Sequence, residues 1–292
     1  MSDPLSGLMA ALDLTDTGAR TSEDIFTGPS QWVPGGRIFG GQVLAQSLVA
    51  ANRTVPADRF VHSMHAYFLR PGSVDMPITF SVDRIHDGRS FSTRRTQAYQ
   101  DGQPILSMIG SFQDVDEGLV HQTLPPVDLP DPESLPTTAD LLAGIDHPVA
   151  RFWATERAFD IRHIDTPLYL QPDENAVPSS AVWMKTVGAL PDDLNLHRAA
   201  IAYASDHTIL EPVLRGHRIA WVTPGLKVAS LDHAMWWHRD GRADEWMLYV
   251  QESPNAIGGR GLAFGRIYDR AGNLLASVAQ EGMIRVPSPA DR

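Results

Sequence analysis

The sequence predicts an α+β chain made of two copies of one unit, each a helix followed by an antiparallel sheet. Three observations carry this. A stretch of helical periodicity is followed by four strand-like segments whose connecting turns are too short for parallel crossovers. The same order recurs in the second half of the chain, as a structural repeat does. Between the copies lies a proline-rich run that suits neither a helix nor a central strand.

In the first copy the helix spans Phe39–Thr54, with Val43, Leu44, Leu48 and Ala51 on one face and Gly40-Gly41 at its entrance. Strands follow at Val61–Phe68, Ile78–Ile85, Ser90–Tyr99 and Pro104–Gln113. The tetrapeptides His86-Asp-Gly-Arg89 and Gln100-Asp-Gly-Gln103 supply the tight turns of two hairpins.

The break falls between Leu119 and Asp140, where Pro125, Pro126, Pro130, Pro132 and Pro136 are interspersed with Asp128, Asp131 and Glu133. A short helix, Thr138–Ala143, follows before the chain enters its second unit near Phe159. There the helix is Leu196–Ser205, with Leu196, Ala199, Ala200 and Tyr203 at helical spacing. Its strands are Val228–Trp237, Trp246–Glu252, Gly259–Tyr268 and Asn273–Arg285. The turn Asp269-Arg-Ala-Gly-Asn273 takes the place of Gln100-Asp-Gly-Gln103, and His65-Ala-Tyr-Phe68 matches His233-Ala-Met-Trp236.

These boundaries divide the chain into a unit at 1–120, a connection at 121–157 and a second unit at 158–292. One helix against one sheet is a layered α+β unit. A sheet curling round a long helix is the hot-dog arrangement. Two copies joined edge to edge form a double hot dog, in which each sheet covers an exposed edge of the other.

Composition narrows the chemistry. A chain of 292 residues buries a large core without covalent staples, and this one has no cysteine. That excludes a disulfide framework, thiolate–zinc sites and a cysteine nucleophile together. With 35 acidic residues against 24 lysines and arginines the net charge is -11, which disfavours nucleic acid as the partner. No basic start leads into an apolar run, and the apolar stretches fall short of the ~20 residues a membrane helix needs. The terminal Pro287-Ser-Pro-Ala-Asp-Arg292 matches no retention or peroxisomal tripeptide. The expectation is a soluble cytoplasmic protein with no membrane insertion.

Familiar nucleophile and cofactor signatures are missing: there is no Gly-x-Ser-x-Gly elbow, Walker A loop or His-Glu-x-x-His helix. Gly258-Gly-Arg-Gly261 is too short and opens a strand rather than a helix, so it is a weak dinucleotide signal. His233 and His238 are at odd spacing on a strand and face opposite ways. No metal and no cofactor are expected.

Five stretches in register carry a specific resemblance. They are Phe39-Gly-Gly-Gln-Val43, Val61-His-Ser-Met-His-Ala-Tyr-Phe-Leu-Arg-Pro-Gly72, Tyr203-Ala-Ser-Asp206, Ser230-Leu-Asp-His-Ala-Met-Trp-Trp-His-Arg239 and Ser277-Val-Ala-Gln-Glu-Gly282. In this order and spacing the chain resembles the type II acyl-CoA thioesterases, the TesB-like double-hot-dog family, from about Leu8 to Arg285. The resemblance implies hydrolysis of fatty acyl-CoA to free fatty acid and CoA. The water is held by an aspartate, a hydroxyl residue and a glutamine, which map onto Asp206, Ser230 and Gln280. The family often has threonine at the hydroxyl position; serine keeps the hydroxyl and loses a methyl.

The residue types suit the reaction. An activated thioester yields to an oriented water once a base takes its proton, and the resemblance implies that Asp206 is that base. A tunnel that is partly apolar raises the carboxyl's pKa, which makes it a better base near neutrality. Backbone amides at Gly40 and Gly41 are further donors, at a helix start. His65 matches a histidine of the family's first unit, which the resemblance puts near the site; a core or sheet-edge role is the equal alternative. CoA carries phosphates, and Arg89, Arg94 and Arg95 with Arg260 and Arg266 offer local positive charge.

Asp232 and His233 are neighbours on a strand and point to opposite faces, so they are read as structural rather than as a dyad. The first unit lacks the catalytic set, since Gly110 falls at the place of Gln280 when the turn glycines Gly102 and Gly272 are aligned. One active site per chain is expected, in a homodimer or larger homo-oligomer. Two other readings share the ligand: a hot-dog enoyl-CoA hydratase and a non-catalytic acyl-CoA-binding module.

Overall fold

A computed structural model describes residues 3–18 and 23–286; the C-terminal hexapeptide read above lies outside the described residues. The chain begins with α1 (Pro4–Leu12), β1 (Thr15–Asp16) and β2 (Asp24–Gly28). The first unit continues through α2 (Gly40–Asn52), β3 (Arg59–Phe68), β4 (Ile78–Asp87), β5 (Phe91–Gln100) and β6 (Gln103–Asp114). The connection holds α3 (Thr138–Leu141) and α4 (Pro148–Thr155). Then come β7 (Phe159–His163), β8 (Ser179–Thr186), α5 (Leu194–Ser205), α6 (Glu211–Gly216), β9 (Lys227–Ser230) and β10 (Asp232–Trp237). The chain closes with β11 (Met247–Ile257), β12 (Arg260–Asp269) and β13 (Leu274–Arg285).

All the strands form one 13-stranded sheet in the order β1-β2-β4-β5-β6-β3-β10-β13-β12-β11-β8-β7, with β9 also on β13. The two units join at β3 and β10, which pair antiparallel with Ala66 opposite His233 and Met64 opposite Met235. The joined edges are thereby removed, and the molecule is a double hot dog. The central helices α2 and α5 lie inside the curl, packed against each other and against the sheet.

The sequence of α2 suits a helix buried on most sides. Its Leu44, Ala45, Leu48, Ala50 and Ala51 are buried, and its small residues let the sheet approach. The buried amides of Gln42 and Gln46 are satisfied by the chain that wraps them: Gln42 Nε2 donates to the Pro29 carbonyl at 2.9 Å, and Gln46 Nε2 to that of Ala11 at 2.6 Å. Helix α5 is capped by Asp193, whose carboxylate accepts from the amides of Asn195 and Leu196. In contrast, α2 is preceded by Phe39, which caps nothing, so the first amides of α2 remain available to other groups.

Three expectations need correction. The strand foreseen over Val228–Trp237 is two strands, β9 and β10, interrupted at Leu231. On β13 the partner of Ser230 is Gly282 and that of Ala234 is Ala279, so the first strand spends one more residue than the second. This is a β-bulge, which re-aims side chains. The connection is also more structured than a proline-rich tether. Proline leads α4 at Pro148, a position where its missing N–H costs nothing, and a second helix forms. The short strands β2, β7 and β8 extend each unit beyond the four strands expected; their brief, mixed patterns carry little periodicity.

Candidate active site

The C-terminus of α5 and the N-terminus of α2 meet at one carboxylate. Asp206 is the C-cap of α5, and the backbone N–H of Gly41 donates to its side chain. The approach is close. A Cβ on Gly41 would stand 2.3 Å from the Tyr203 carbonyl, and one on Gly40 2.6 Å from Asp206 Oδ2, so any side chain at either position would fill the space.

Three donors converge on this group. The Ser230 hydroxyl donates to Asp206 Oδ1 at 3.1 Å, and Gln280 Nε2 donates to the same oxygen at 2.9 Å. Gln280 Nε2 also donates to Ser230 Oγ at 2.9 Å, which closes a triangle of side chains from α5, β9 and β13. The amide of Gln280 is 1% exposed, and its orientation is set from behind. Its Oε1 is hydrogen-bonded to His233 Nδ1, and His233 Nε2 meets Ser205 Oγ at 3.0 Å. The order of these bonds turns the NH₂ end of Gln280 toward the carboxylate.

The bulge at Leu231 makes this possible. In a regular strand, residues three apart face opposite ways, yet Ser230 and His233 both reach Gln280. His233 is the site residue that sequence reasoning missed. The sequence reading takes it as structural, like its neighbour Asp232, whose carboxylate accepts from the backbone N–H of Glu281 at 2.8 Å. The signal for His233 lay in the bulge, which has no mark in the sequence.

Burial pushes the Asp206 carboxyl above the usual aspartate range, against the opposing pull of His233, Gln280, Ser230 and the Gly41 amide. Burial likewise holds His233 below the ordinary histidine value, although Asp206 and Gln280 act against it. The neighbouring His207 is held well below by burial and by Arg157. Asp206 sits at the negative end of α5 and the positive end of α2, so the two helix dipoles oppose each other there.

The triangle opens into a cleft of about 500 Å³, lined among others by Gly40, Phe68, Leu210 and Leu231. Gly40 and Gly41 therefore lie beside Asp206, Ser230 and Gln280. The other sequence-predicted residues do not. His65 is on the outer face of the sheet, edge-on to Trp236 at 5.2 Å, because it is Ala66 that faces His233 across the β3–β10 pair. The matching His-Ala dipeptides thus present opposite faces.

Arg94 is 1% exposed and occupied: its guanidinium donates to the Thr54 hydroxyl at 2.8 Å, the Thr54 carbonyl at 3.0 Å and Asp87 at 2.7 Å. Arg89 is exposed in the β4–β5 turn, where its carbonyl accepts from Arg59 at 2.8 Å. Arg260 pairs with Glu281 at 2.9 Å, on the face of β13 opposite to Gln280. Arg95 pairs with Asp83 and Arg266 with Glu252. The cations that do line the cleft are Arg37 and Arg70. Arg37 sits in the loop Gly35-Gly-Arg37, just before the first quoted motif, and Arg70 closes the second, at Arg70-Pro-Gly72. Among the described residues no group of three or more His, Asp or Glu side chains is placed to hold a metal ion.

Comparison with known proteins agrees with this architecture. Residues 28–113 match the family described as acyl-CoA thioesterase N-terminal domain, and residues 162–283 match that described as acyl-CoA thioesterase. The chain is 36% identical to acyl-CoA thioesterase 2 of Haemophilus influenzae, over 98% of this chain and 99% of that one. It is 38% identical to acyl-coenzyme A thioesterase 8 of Homo sapiens, over 90% and 85% of the two chains. Among solved structures, an acyl-CoA thioesterase II, TesB2, from Mycobacterium marinum aligns with a TM-score of 0.76 at 39% identity, covering 97% of this chain and 98% of the other. A hot-dog protein of unknown function from Alicyclobacillus acidocaldarius aligns with a TM-score of 0.77 at 20% identity, over 96% and 98% of the chains, a likeness of fold alone.

Proposed function

The chain belongs to the acyl-CoA thioesterase family and is an acyl-CoA thioester hydrolase, and from that premise we propose that it cleaves fatty acyl-CoA by direct attack of a water held by Asp206, Ser230 and Gln280. The observation that supports this most is the convergence of Ser230 Oγ and Gln280 Nε2 on Asp206 Oδ1, at 3.1 and 2.9 Å, inside a cleft. The products are a free fatty acid and CoA.

The steps follow from the groups present. Asp206 removes a proton from the water as its oxygen attacks the thioester carbon. The raised carboxyl pKa favours this transfer, because it brings the base closer to the working pH. Ser230 and Gln280 fix the water's position, so that attack starts from an oriented pair. Negative charge develops on the carbonyl oxygen, and the uncapped start of α2 at Gly40 offers a backbone donor and a positive helix end. The C–S bond then breaks, the sulfur leaves with the electron pair, and the proton held by Asp206 passes to it. The carboxylate is regenerated, with no covalent acyl-enzyme on the path. His233 is a positioning residue, since it acts through the amide of Gln280.

The reading carries a wider setting: an enzyme of lipid metabolism, located in the cytoplasm and assembled as a homodimer or larger homo-oligomer, with the catalytic set confined to the unit at 158–292. Thiol release from palmitoyl-CoA by the purified chain, followed with a chromogenic disulfide, tests the core of it. Release in step with fatty acid is expected. An intact thioester after prolonged incubation would refute hydrolysis and favour a binding module. Sedimentation velocity measures the assembly.

A further inference from the structure

The cleft at Asp206 does not end at α2. A second cavity of about 410 Å³ lies beyond Phe39 and shares with the cleft Arg37, Phe39, His207, Trp221 and Val228. The partition between the two is aromatic. The His207 ring stacks on Phe39 at 4.6 Å and 15°, and Tyr203 meets both rings edge-on, at 5.1 and 5.6 Å.

Past this partition the lining includes Val149, Phe152 and Trp153, all from α4, and Tyr169. Trp153 tilts against Tyr169 at 5.1 Å. Of the charged groups on the margin, Glu211 and Arg157 are already engaged, while Arg37 stands at the boundary shared with the cleft. Glu211 accepts from the Trp221 indole at 3.2 Å and meets His163 at 3.2 Å. Arg157 lies over the Trp153 ring at 5.1 Å and reaches the Tyr169 hydroxyl at 3.4 Å. What remains for a ligand is chiefly aromatic and aliphatic surface.

We propose that this cavity receives the distal part of the acyl chain, and that α4, through Val149, Phe152 and Trp153, sets the chain length the enzyme accepts. The inference rests on the hydrolase reading. With the thioester carbonyl at Asp206, the two arms of the substrate must leave in different directions. The polyanionic CoA arm belongs on the solvent side, where Arg37 and Arg70 line the cleft. An alkyl arm gains by leaving water for a concave apolar surface. The segment that joins the two units therefore supplies the end wall of the substrate site, beyond its task of connection.

Two opposed substitutions test it. Val149→Phe fills the cavity and Trp153→Ala enlarges it. For each, kcat/KM is measured by thiol release on butyryl-, octanoyl-, lauroyl- and palmitoyl-CoA. The lauroyl-to-butyryl ratio is expected to fall about tenfold or more in Val149→Phe, and the palmitoyl-to-lauroyl ratio to rise in Trp153→Ala, since each methylene in an apolar pocket discriminates on the order of tenfold. If both variants scale all four substrates by one common factor, the chain does not enter this cavity. That result would leave the hydrolase reading intact. A wild-type chain that releases no thiol from any of the four would instead remove the hydrolase reading, and the inference with it.

Discussion

The two central helices end in opposite ways. At the C-terminus of α2 the buried guanidinium of Arg94 donates to the Thr54 hydroxyl and carbonyl, at 2.8 and 3.0 Å. At the C-terminus of α5 stands the carboxylate of Asp206. The sheet positions behind them are exchanged. Arg94 pairs with Gly110 across β5 and β6, while Ala263 pairs with Gln280 across β12 and β13. One unit puts its large polar side chain on one strand and a small residue beside it; the other unit reverses the assignment. A cation suits the negative end of a helix, and a carboxylate does not. The first unit thus uses this end for stability. The second keeps an electrostatically unfavourable group there, which only neighbouring donors and the opposing start of α2 make tolerable, a pattern expected where function overrides local preference.

The sharpest way to break this contrast is Asp206→Asn, which keeps the shape and removes the proposed base. Turnover in the thiol-release assay should fall about a thousandfold, within the range general-base catalysis commands. Stability should move the other way. Because the folded pKa lies above the unfolded one, the charged carboxylate costs stability at neutral pH, and that cost fades as pH falls through the folded pKa and is gone below the unfolded value. Melting temperature at pH 7 should therefore be equal or higher in Asp206→Asn, with the difference shrinking toward acid pH. The wild-type kcat/KM profile should lose activity on the acid side with a midpoint above the ordinary 3.8 of an aspartate.

Gln280→Ala comes next, with a loss of about a hundredfold, as for removal of one preorganised donor. Ser230→Thr should retain most of the activity that Ser230→Ala loses, since the hydroxyl is what the triangle uses. His233→Ala leaves Gln280 Oε1 without its partner and its amide free to turn. There kcat should fall about tenfold with KM nearly unchanged, alongside a loss of about 1–3 kcal/mol in stability for the unpaired buried acceptor. A fall in stability without any change in kcat would make His233 merely structural. Arg94→Met should have the smallest effect on turnover. Its urea midpoint should drop by the equivalent of about 2–3 kcal/mol, while kcat per folded molecule stays at the wild-type level.

Much of the fold was legible because periodicity and turn chemistry are local. The hairpin turn at His86-Asp-Gly-Arg89 and the apolar faces of α2 and α5 carry their structure in a few adjacent residues. The short strands β2, β7 and β8 were not, since five to eight residues hold too little pattern to separate strand from loop. Among the site residues, the family resemblance pointed to Asp206, Ser230 and Gln280 and the helix start to Gly40 and Gly41, and the structure gathers them at one helix junction. The arginines were misread because charge in a sequence has no direction. Arg94, Arg95, Arg260 and Arg266 all find carboxylates of their own.

The sequence by itself determined the repeat and the order of its elements, because both are written in neighbouring or regularly spaced positions. Asp206, Ser230 and Gln280 lie far apart in it, and only the resemblance of their motifs to a family singled them out. Tertiary structure alone decided which face each residue presents. One added residue in a strand turns Ser230 and His233 to the same side, and the β3–β10 register, which sets Ala66 rather than His65 opposite His233, sends His65 outward. It also decided that the connection folds back as α4 along the second cavity, beyond Phe39. Side-chain direction has a period of two in a strand, so a shift of one residue, invisible in composition or spacing, inverts it.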